Sequence, residues 1–190
     1  MTTGIFGSPA TGLCAGEYLA VLTNASGCVT TEVIVVNEPE EIVGVITATD
    51  VTCEGLCDGT ASVVVSGGTP PYTFLWNNGQ TDTIATGLSA GMVTVTVTDA
   101  NNFSIIDTIN LNSPTALSAS VVLNTPISCH GFSDGNITAF ATGSVPNYTY
   151  LWENNSTIDN RMNLGIGIYF VTVTDANGCT NSDSITLSEP

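Results

Sequence analysis

The chain has 190 residues, 43% of them hydrophobic and only 9% charged, and its net charge at pH 7 is −16. Arg161 is the only basic residue against 17 acidic ones, so the chain lacks the cations that bind nucleic acid or an anionic membrane surface. The hydrophobic content argues against disorder, and the many Thr, Val, Gly, Asn and Ser residues are typical of strands and turns rather than helices.

Residues 1–39 are predicted to be the C-terminal half of a β-module. Within them, residues 12–28 align with residues 87–103 at an offset of 75. Because the module starts in its middle and no signal peptide follows Met1, we expect a fragment whose targeting segments lie elsewhere. The half-module lacks the strands that its apolar face would pack against, so we expect it to be the least stable part or to borrow surface from its neighbour.

Residues 40–114 are predicted to form a complete module, and residues 115–190 repeat it at an offset of 76, with Tyr72 and Trp76 returning as Tyr148 and Trp152. The run 92–99 alternates Val and Thr almost perfectly, which is typical of a half-buried strand. The strand-like runs of the first complete module, separated by turns rich in Gly, Pro and Asn, are residues 41–51, 60–68, 72–76, 81–88, 92–99 and 104–111.

This pattern predicts an all-β protein built from tandem antiparallel, Ig-like β-sandwich modules of about 76 residues. A Leu-x-x-Gly-x-Tyr motif precedes the long alternating strand and ends at Tyr18 and Tyr169, while Val93 takes the tyrosine place in the middle module. In sandwiches, a tyrosine at this place forms a hydrogen bond across the corner between the sheets. Trp76 and Trp152 stand where a sandwich buries its central tryptophan, so we expect all four aromatic side chains to be structural.

No constellation of residues indicates catalysis, and we predict no enzyme and no cofactor. His130 is the only histidine, and it shares one turn with Ser133 and Asp134, which is too short a segment for the geometry of a catalytic triad. The cysteine spacing does not fit a zinc site, and no Gly-rich loop opens a helix to hold phosphate.

Calcium is the one ion that the sequence leaves open. Its candidate ligands are acidic residues in Gly- or Asn-rich turns, namely Asp58, Asp99, Asp134 and Asp175. No loop has the dense acidic spacing of a calcium motif, and side-chain hydrogen bonds that stabilise the turns would explain the same residues.

The order of these motifs resembles the SprB repeat. A Cys-x-Gly-x-x-Asp-Gly-like turn, an aromatic strand ending in Trp, the Gly-flanked corner and the Val-Thr strand occur in residues 53–99 and again in 129–175, and the likeness covers one partial and two full copies. The middle module departs from the family pattern, because Phe103 replaces the cysteine of Asn-Gly-Cys. The resemblance implies very large cell-surface adhesins of gliding bacteria, exported by type IX secretion, in which many modules form a filament.

We therefore expect a non-catalytic structural and adhesive stalk segment of a secreted bacterial cell-surface protein, linked to gliding motility. Its expected partners are neighbouring modules, stacked end to end through the linkers at 38–40 and 113–115, and a surface polysaccharide, without nucleic acid or membrane insertion.

The alternative function is a carbohydrate-binding accessory domain of a secreted hydrolase. It would need exposed aromatic side chains in one plane, and the candidates are Tyr72, Phe74, Tyr148 and Tyr150. Strand alternation places Tyr72 and Phe74 on the same face as Trp76, which favours a core position for them.

Six cysteines occupy four equivalent places per module: two in the turn before the second strand, one in the corner and one before the last strand. Cys14 and Cys28 flank a long strand that separates them by roughly 20 Å, too far for a disulfide. We expect their partners in the missing front half of their module.

The last module lacks the second turn cysteine and the corner cysteine together, with Ser133 and Gly165 in their places. This joint loss suggests that those two places pair with each other, and it leaves Cys129 to pair with Cys179. We favour that disulfide, and a bridge between Cys53 and Cys57 across their turn. The alternative is Cys53 with Cys179, because the two turns of one sandwich would lie at opposite ends and Cys179 would then reach the preceding module.

Overall fold

The computed structural model describes residues 9–190, and the first eight residues of the predicted half-module lie outside the described residues. The described chain is all-β, and none of it forms a helix long and apolar enough to cross a membrane. The strands are β1 Gly16–Thr23, β2 Val29–Val36, β3 Val43–Thr49, β4 Gly59–Ser66, β5 Thr73–Trp76, β6 Ile84–Leu88, β7 Gly91–Thr98, β8 Ser104–Leu111, β9 Ser118–Thr125, β10 Gly135–Thr142, β11 Thr149–Trp152, β12 Asn160–Leu164, β13 Gly167–Thr174 and β14 Thr180–Leu187.

Strands β3 to β8 form one sandwich and strands β9 to β14 form another. The first contains the antiparallel sheets β3-β4-β6 and β5-β7-β8, and the second contains β9-β10-β12 and β11-β13-β14. These orders correspond to the A-B-E and C-F-G sheets of an Ig-type sandwich, without its fourth strand D. The predicted fold class of tandem Ig-like sandwiches is therefore confirmed.

Period-two alternation builds each core. Along β7, the side chains of Val93, Val95 and Val97 are buried, whereas the intervening threonines are half-buried on the other face. Trp76 on β5 and Trp152 on β11 are each 1% exposed. Burying an indole N–H requires a hydrogen-bond acceptor, and each tryptophan donates over 2.8 Å to a backbone carbonyl in the following loop, of Asp82 and Ile158 respectively.

The corner before the long strand forms the expected hydrogen bond wherever it carries a tyrosine. Tyr18 donates to the carbonyl of Cys14 over 2.7 Å, and Tyr169 donates to the carbonyl of Gly165 over 2.9 Å. Val93, which replaces the tyrosine in the first sandwich, is buried in the core. The corner therefore tolerates either a hydrogen bond or an apolar contact.

The hairpin of β1 and β2 corresponds to β7–β8 and β13–β14, but within residues 9–190 it pairs with no further strand. Its strands pair in full register from Gly16 opposite Val36 to Thr23 opposite Val29. Leu22 stands in the place of Val97, yet it is 56% exposed whereas Val97 is completely buried. A two-stranded sheet with exposed apolar side chains is marginally stable in water, so the low stability of this part stays a prediction.

Candidate functional site: the junction between the sandwiches

The first side of the junction is the turn between β3 and β4, residues 50–58. Asp58 holds this turn by accepting from the backbone N–H of Thr52 over 3.0 Å and from the Thr52 hydroxyl. Asp50 accepts from the backbone N–H of Asn112 over 2.8 Å, just after β8. The turn therefore lies at the end of the first sandwich from which the chain leaves for the second.

The second side is the loop between β13 and β14, residues 175–179. The carboxylate of Asp175 accepts from the backbone N–H groups of Asn177 over 2.9 Å and Cys179 over 2.8 Å, and Gly178 supplies the positive φ of 85° that closes the loop. The other carboxylate oxygen of Asp175 accepts from the Ser144 hydroxyl. Ser144 also donates its N–H to the carbonyl of Thr115 over 2.9 Å, so the loop lies where the chain enters the second sandwich.

A disulfide between Cys53 and Cys179 crosses the junction, with a Cα–Cα distance of 5.7 Å and a sequence separation of 126 residues. Beside it, the Asn177 side chain donates to the carbonyl of Thr52 over 3.0 Å. Cys53 also packs against a cluster in the second sandwich that includes Leu117 and Val173. One covalent bond, one hydrogen bond and an apolar contact therefore join the two sandwiches.

The predicted pairing of Cys129 with Cys179 is wrong, because the structure pairs Cys179 with Cys53 and leaves Cys129 exposed and free. A Cβ built at Gly135, which follows the Cys129 turn, would lie 2.6 Å from Leu187 at the far end of β14. Cys179 precedes the first residue of that eight-residue strand, so about 25 Å separates the two turns. The alternative that the sequence left open is the one that the structure adopts.

The predicted bridge between Cys53 and Cys57 is also wrong, and Cys57 is exposed and free. Its sulfur instead lies 3.0 Å from the hydroxyl oxygen of Ser89 in the corner. In the second sandwich, a Cβ built at Gly165 would lie 3.9 Å from the Cβ of Ser133. The second turn place and the corner place are therefore neighbours in both sandwiches, as their joint loss suggested. Cys14 and Cys28 are exposed and not paired with each other.

The four acidic residues considered for calcium all accept hydrogen bonds in their own turns. Asp99 accepts from the backbone N–H groups of Asn101 over 2.8 Å, Phe103 over 2.9 Å and Thr69 over 3.0 Å, and Asp134 accepts from that of Ser128 over 3.0 Å. Across residues 9–190, no three His, Cys, Asp or Glu side chains come close enough to hold a metal ion. Turn stabilisation accounts for these residues.

These hydrogen bonds also set the protonation of the two buried carboxylates. Burial raises the pKa of Asp99, but its three backbone N–H donors together bring that pKa below its ordinary value. The Ser144 hydroxyl is the main cause that lowers the pKa of Asp175, burial opposes it, and backbone N–H donors lower it further. Both loops therefore depend on ionised carboxylates.

The aromatic residues considered for carbohydrate binding lie against the cores. Tyr72 and Phe74 pack on the core of the first sandwich, and Tyr148 and Tyr150 pack on clusters of the second. The hydroxyl groups of Tyr72 and Tyr148 donate to backbone carbonyls five residues earlier. These side chains are therefore not an exposed planar platform.

Sequence reasoning missed the role of Arg161, the only basic residue. Its guanidinium lies over the rings of Trp152, at 5.3 Å from the centroid, and Tyr169, at 5.0 Å, and it forms an ion pair with Glu153 over 2.5 Å. In the first sandwich, Ala85 stands in the place of Arg161 and Val93 stands in the place of Tyr169. The positive charge is thus used inside the second sandwich and is not available to a ligand.

His130 does not assemble a triad with its neighbours in sequence. Its Nδ1 lies 2.5 Å from a carboxylate oxygen of Glu189, and the backbone N–H of Gly131 donates to the other oxygen over 2.7 Å. Asp134 is bound to Ser128 instead. The turn that carries Cys129 is thereby held beside the last residues of the chain.

These features define a chain of tandem Ig-like sandwiches whose two complete modules are joined by a disulfide. The SprB repeat family model matches residues 45–81, in the first sandwich, and residues 124–157, in the second. The predicted resemblance to the SprB repeat is thus confirmed in these two regions. No curated protein matches the sequence.

Among solved structures, the chain is similar to an amphioxus IgVJ-C2 molecule, at 14% identity and a TM-score of 0.31, over 75% of this chain and 96% of that one. It is also similar to extracellular domains 3–5 of Drosophila OTK, at 17% identity and a TM-score of 0.31, over 91% of this chain and 70% of that one. The eight N-terminal Ig domains of Down Syndrome Cell Adhesion Molecule match at 15% identity and a TM-score of 0.31, over 92% of this chain and 31% of that one.

Proposed function

We propose that this chain is a structural and adhesive stalk segment of a large secreted bacterial cell-surface protein linked to gliding motility and type IX secretion. The observation that carries the proposal is the junction. The Cys53 turn, at the end where the chain leaves the first sandwich, packs on the second sandwich near the point where the chain enters it, and Cys53 is bonded there to Cys179. A joint of this kind suits a continuous stalk rather than independent modules on flexible linkers.

The chemistry of the junction supports an extracellular location. Disulfides persist in oxidising surroundings and are rare in the cytosol. The chain carries 17 acidic residues and a single basic one, Arg161, which is paired with Glu153. A strongly acidic surface keeps neighbouring stalks apart through mutual repulsion and keeps the protein soluble.

The stalk is tested by small-angle X-ray scattering of the oxidised chain. A compact globule of 190 residues has a radius of gyration of about 16 Å. Modules stacked end to end are expected to give a value above about 22 Å that does not depend on protein concentration. A value near that of the globule would contradict the stalk.

The adhesive part of the proposal concerns the partner, for which we propose a surface polysaccharide. Because Tyr72 and Tyr148 lie against the cores, binding would use polar edges and loops rather than a stacking platform. Co-sedimentation of the chain with purified bacterial surface polysaccharide tests it, with a neutral dextran as control. Absence of binding would contradict the adhesive role of this segment, and it would not affect the proposal that the segment is part of a stalk.

A further inference from the structure

The turn that carries Cys53 has an equivalent in the second sandwich, in which Ser128, Cys129 and Asp134 stand in the places of Thr52, Cys53 and Asp58. Its hydrogen bonds are the same. The Ser128 N–H donates to Asp134 over 3.0 Å, as Thr52 does to Asp58, and the residue three after the cysteine donates to the cysteine carbonyl over 3.1 Å and 3.2 Å respectively. The second sandwich therefore presents the same turn, but its thiol is exposed and free.

The loop that carries Cys179 also has an equivalent, in the half-module. Asn24 takes the place of Asp175, and its side-chain oxygen accepts from the backbone N–H groups of Ser26 and Cys28, both over 2.9 Å. The backbone N–H of Asn24 donates to the carbonyl of Cys28 over 3.0 Å, as Asp175 does to Cys179, also over 3.0 Å. The half-module therefore presents the other side of the junction, again with a free and exposed thiol.

The middle module shows how the pairing runs along the chain. Its loop at Asp99 has the same hydrogen bonds but ends in Phe103, so it has no thiol to offer to the module before it. Its turn thiol, Cys53, pairs with the loop thiol of the module after it. Pairing therefore runs from the turn of one module to the loop of the next.

We propose that the Cys129 turn and the Cys28 loop are the two halves of further disulfide-linked junctions, each made for another copy of the SprB repeat. Cys129 forms a disulfide with the loop cysteine of a module that follows it. Cys28 forms a disulfide with the turn cysteine of a module that precedes it. The inference goes beyond the proposed function, because it holds whatever the array binds.

The position of the Cys129 turn fits a following module. The Cys53 turn is bound through Asp50 to the backbone N–H of Asn112, close to the residues that lead into the next sandwich. The Cys129 turn is bound through a different contact, from the N–H of Gly131 to the carboxylate of Glu189, which is next to Pro190. A module attached after Pro190 would thus emerge beside Cys129 as the second sandwich emerges beside Cys53. In the bond-forming step, two thiols lose two protons and two electrons, and a small-molecule disulfide such as oxidised glutathione is reduced to two thiols.

The proposal is tested on a full chain extended after Pro190 by a second copy of residues 115–190. In the added copy, Cys129→Ser removes its turn thiol, and Ser184→Ala, at an exposed position, marks its loop peptide by mass. After oxidation with a glutathione buffer, free thiols are alkylated and disulfide peptides are mapped without reduction.

We expect Cys129 to be linked to the loop cysteine of the added copy and Cys53 to remain linked to Cys179. The number of free thiols then falls from the four of the present chain to three. Changing the original Cys129 to Ser abolishes the new link, whereas Cys57→Ser, at another exposed thiol, leaves it unchanged. A folded extended chain in which Cys129 remains alkylated would overturn the proposal.

A second measurement uses the chain as it is and does not depend on the folding of the extension. At high protein concentration in the same buffer, covalent dimers are expected in which Cys129 of one copy is bonded to Cys28 of another. This link should exceed any that involves Cys14 or Cys57 at least tenfold. Dimers linked mainly through those two thiols, or oxidised chains that stay monomeric, would contradict the proposal.

Discussion

A single substitution in the first sandwich should create a disulfide within a module. The sulfur of Cys57 lies 3.0 Å from the hydroxyl oxygen of Ser89, so Ser89→Cys places two sulfur atoms in contact. The equivalent pair in the second sandwich, Ser133 and a Cβ built at Gly165, shows a Cβ–Cβ distance of 3.9 Å. Disulfides have Cβ–Cβ distances of about 3.5–4.5 Å, so the backbone at this site already has a suitable spacing.

The stabilisation can be worked from the loop that the new bond would close. Cys57 and Ser89 are 32 residues apart, and restricting the unfolded chain by a loop of that length stabilises the folded state by about 3.7 kcal/mol at 25 °C. Engineered disulfides often deliver less than this because they distort the folded geometry, so we expect about 2–4 kcal/mol. For a module of this size, that corresponds to a rise in Tm of about 10 °C or more.

Scanning calorimetry of the oxidised and reduced Ser89→Cys chain measures this rise, and Ser89→Ala is the matched control. Alkylation of the oxidised variant should find three free cysteines (Cys14, Cys28 and Cys129), whereas the parent chain has four. If Cys57 and the introduced thiol both remain free in an oxidising buffer, the contact between turn and corner is wrong. If the disulfide forms without a rise in Tm, the loop-entropy argument fails for this site.

Three further results are expected. In single-molecule stretching, Cys179→Ser should lengthen the fully unfolded chain by about 430 Å, because the disulfide shields 126 residues from extension; an unchanged contour length would show that the bond does not form. Lowered pKa values mean that Asp99 and Asp175 contribute stability fully above their unfolded pKa of about 4 and lose it as pH falls through their folded pKa values. Thermal melts should therefore change little from pH 7 to 5 and drop below about pH 4, and a main loss centred above pH 5 would contradict this. Arg161→Met should destabilise the second sandwich by about 1–2 kcal/mol in denaturant titration, because the contacts with Trp152 and the ion pair are lost; Arg161→Lys is the control, and equal stability of Arg161→Met and the parent chain would refute the assigned role.

The fold could be predicted because its signals are local and are repeated. The Val-Thr alternation predicted a strand at 92–99, and β7 spans Gly91–Thr98. The corner motif predicted the hydrogen bond of Tyr169, which needs only the geometry of one turn. Trp76 and Trp152 are buried because each lies on the core-facing side of a short edge strand.

The junction could be predicted only in part, because it depends on which turns share an end of a sandwich. Counting the cysteines of each module correctly suggested that the positions of Cys57 and Ser89 are neighbours. The last module lacks a cysteine at both equivalent positions, and two cysteines that are lost together are expected to have been bonded to each other. The same counting assumed that every partner lies in the same module, and it failed for Cys179. Arg161 was missed for a different reason. Its partners, Trp152 and Glu153, are at the end of β11, and the connection that brings them to Arg161 on β12 joins strands of two different sheets, which no sequence motif marks.

The location of the junction disulfide has a mechanical consequence. Tension along the chain would otherwise reach the second sandwich through the linker after Asn112 and pull on β9, whose first residue is Ser118. The bond between Cys53 and Cys179 gives the force a second path, from the first sandwich directly into the loop before β14. The middle module, where Phe103 replaces the loop cysteine, has no such bond to the half-module. In the proposed stalk, we therefore expect joints that contain a disulfide to be stiffer than joints that lack one.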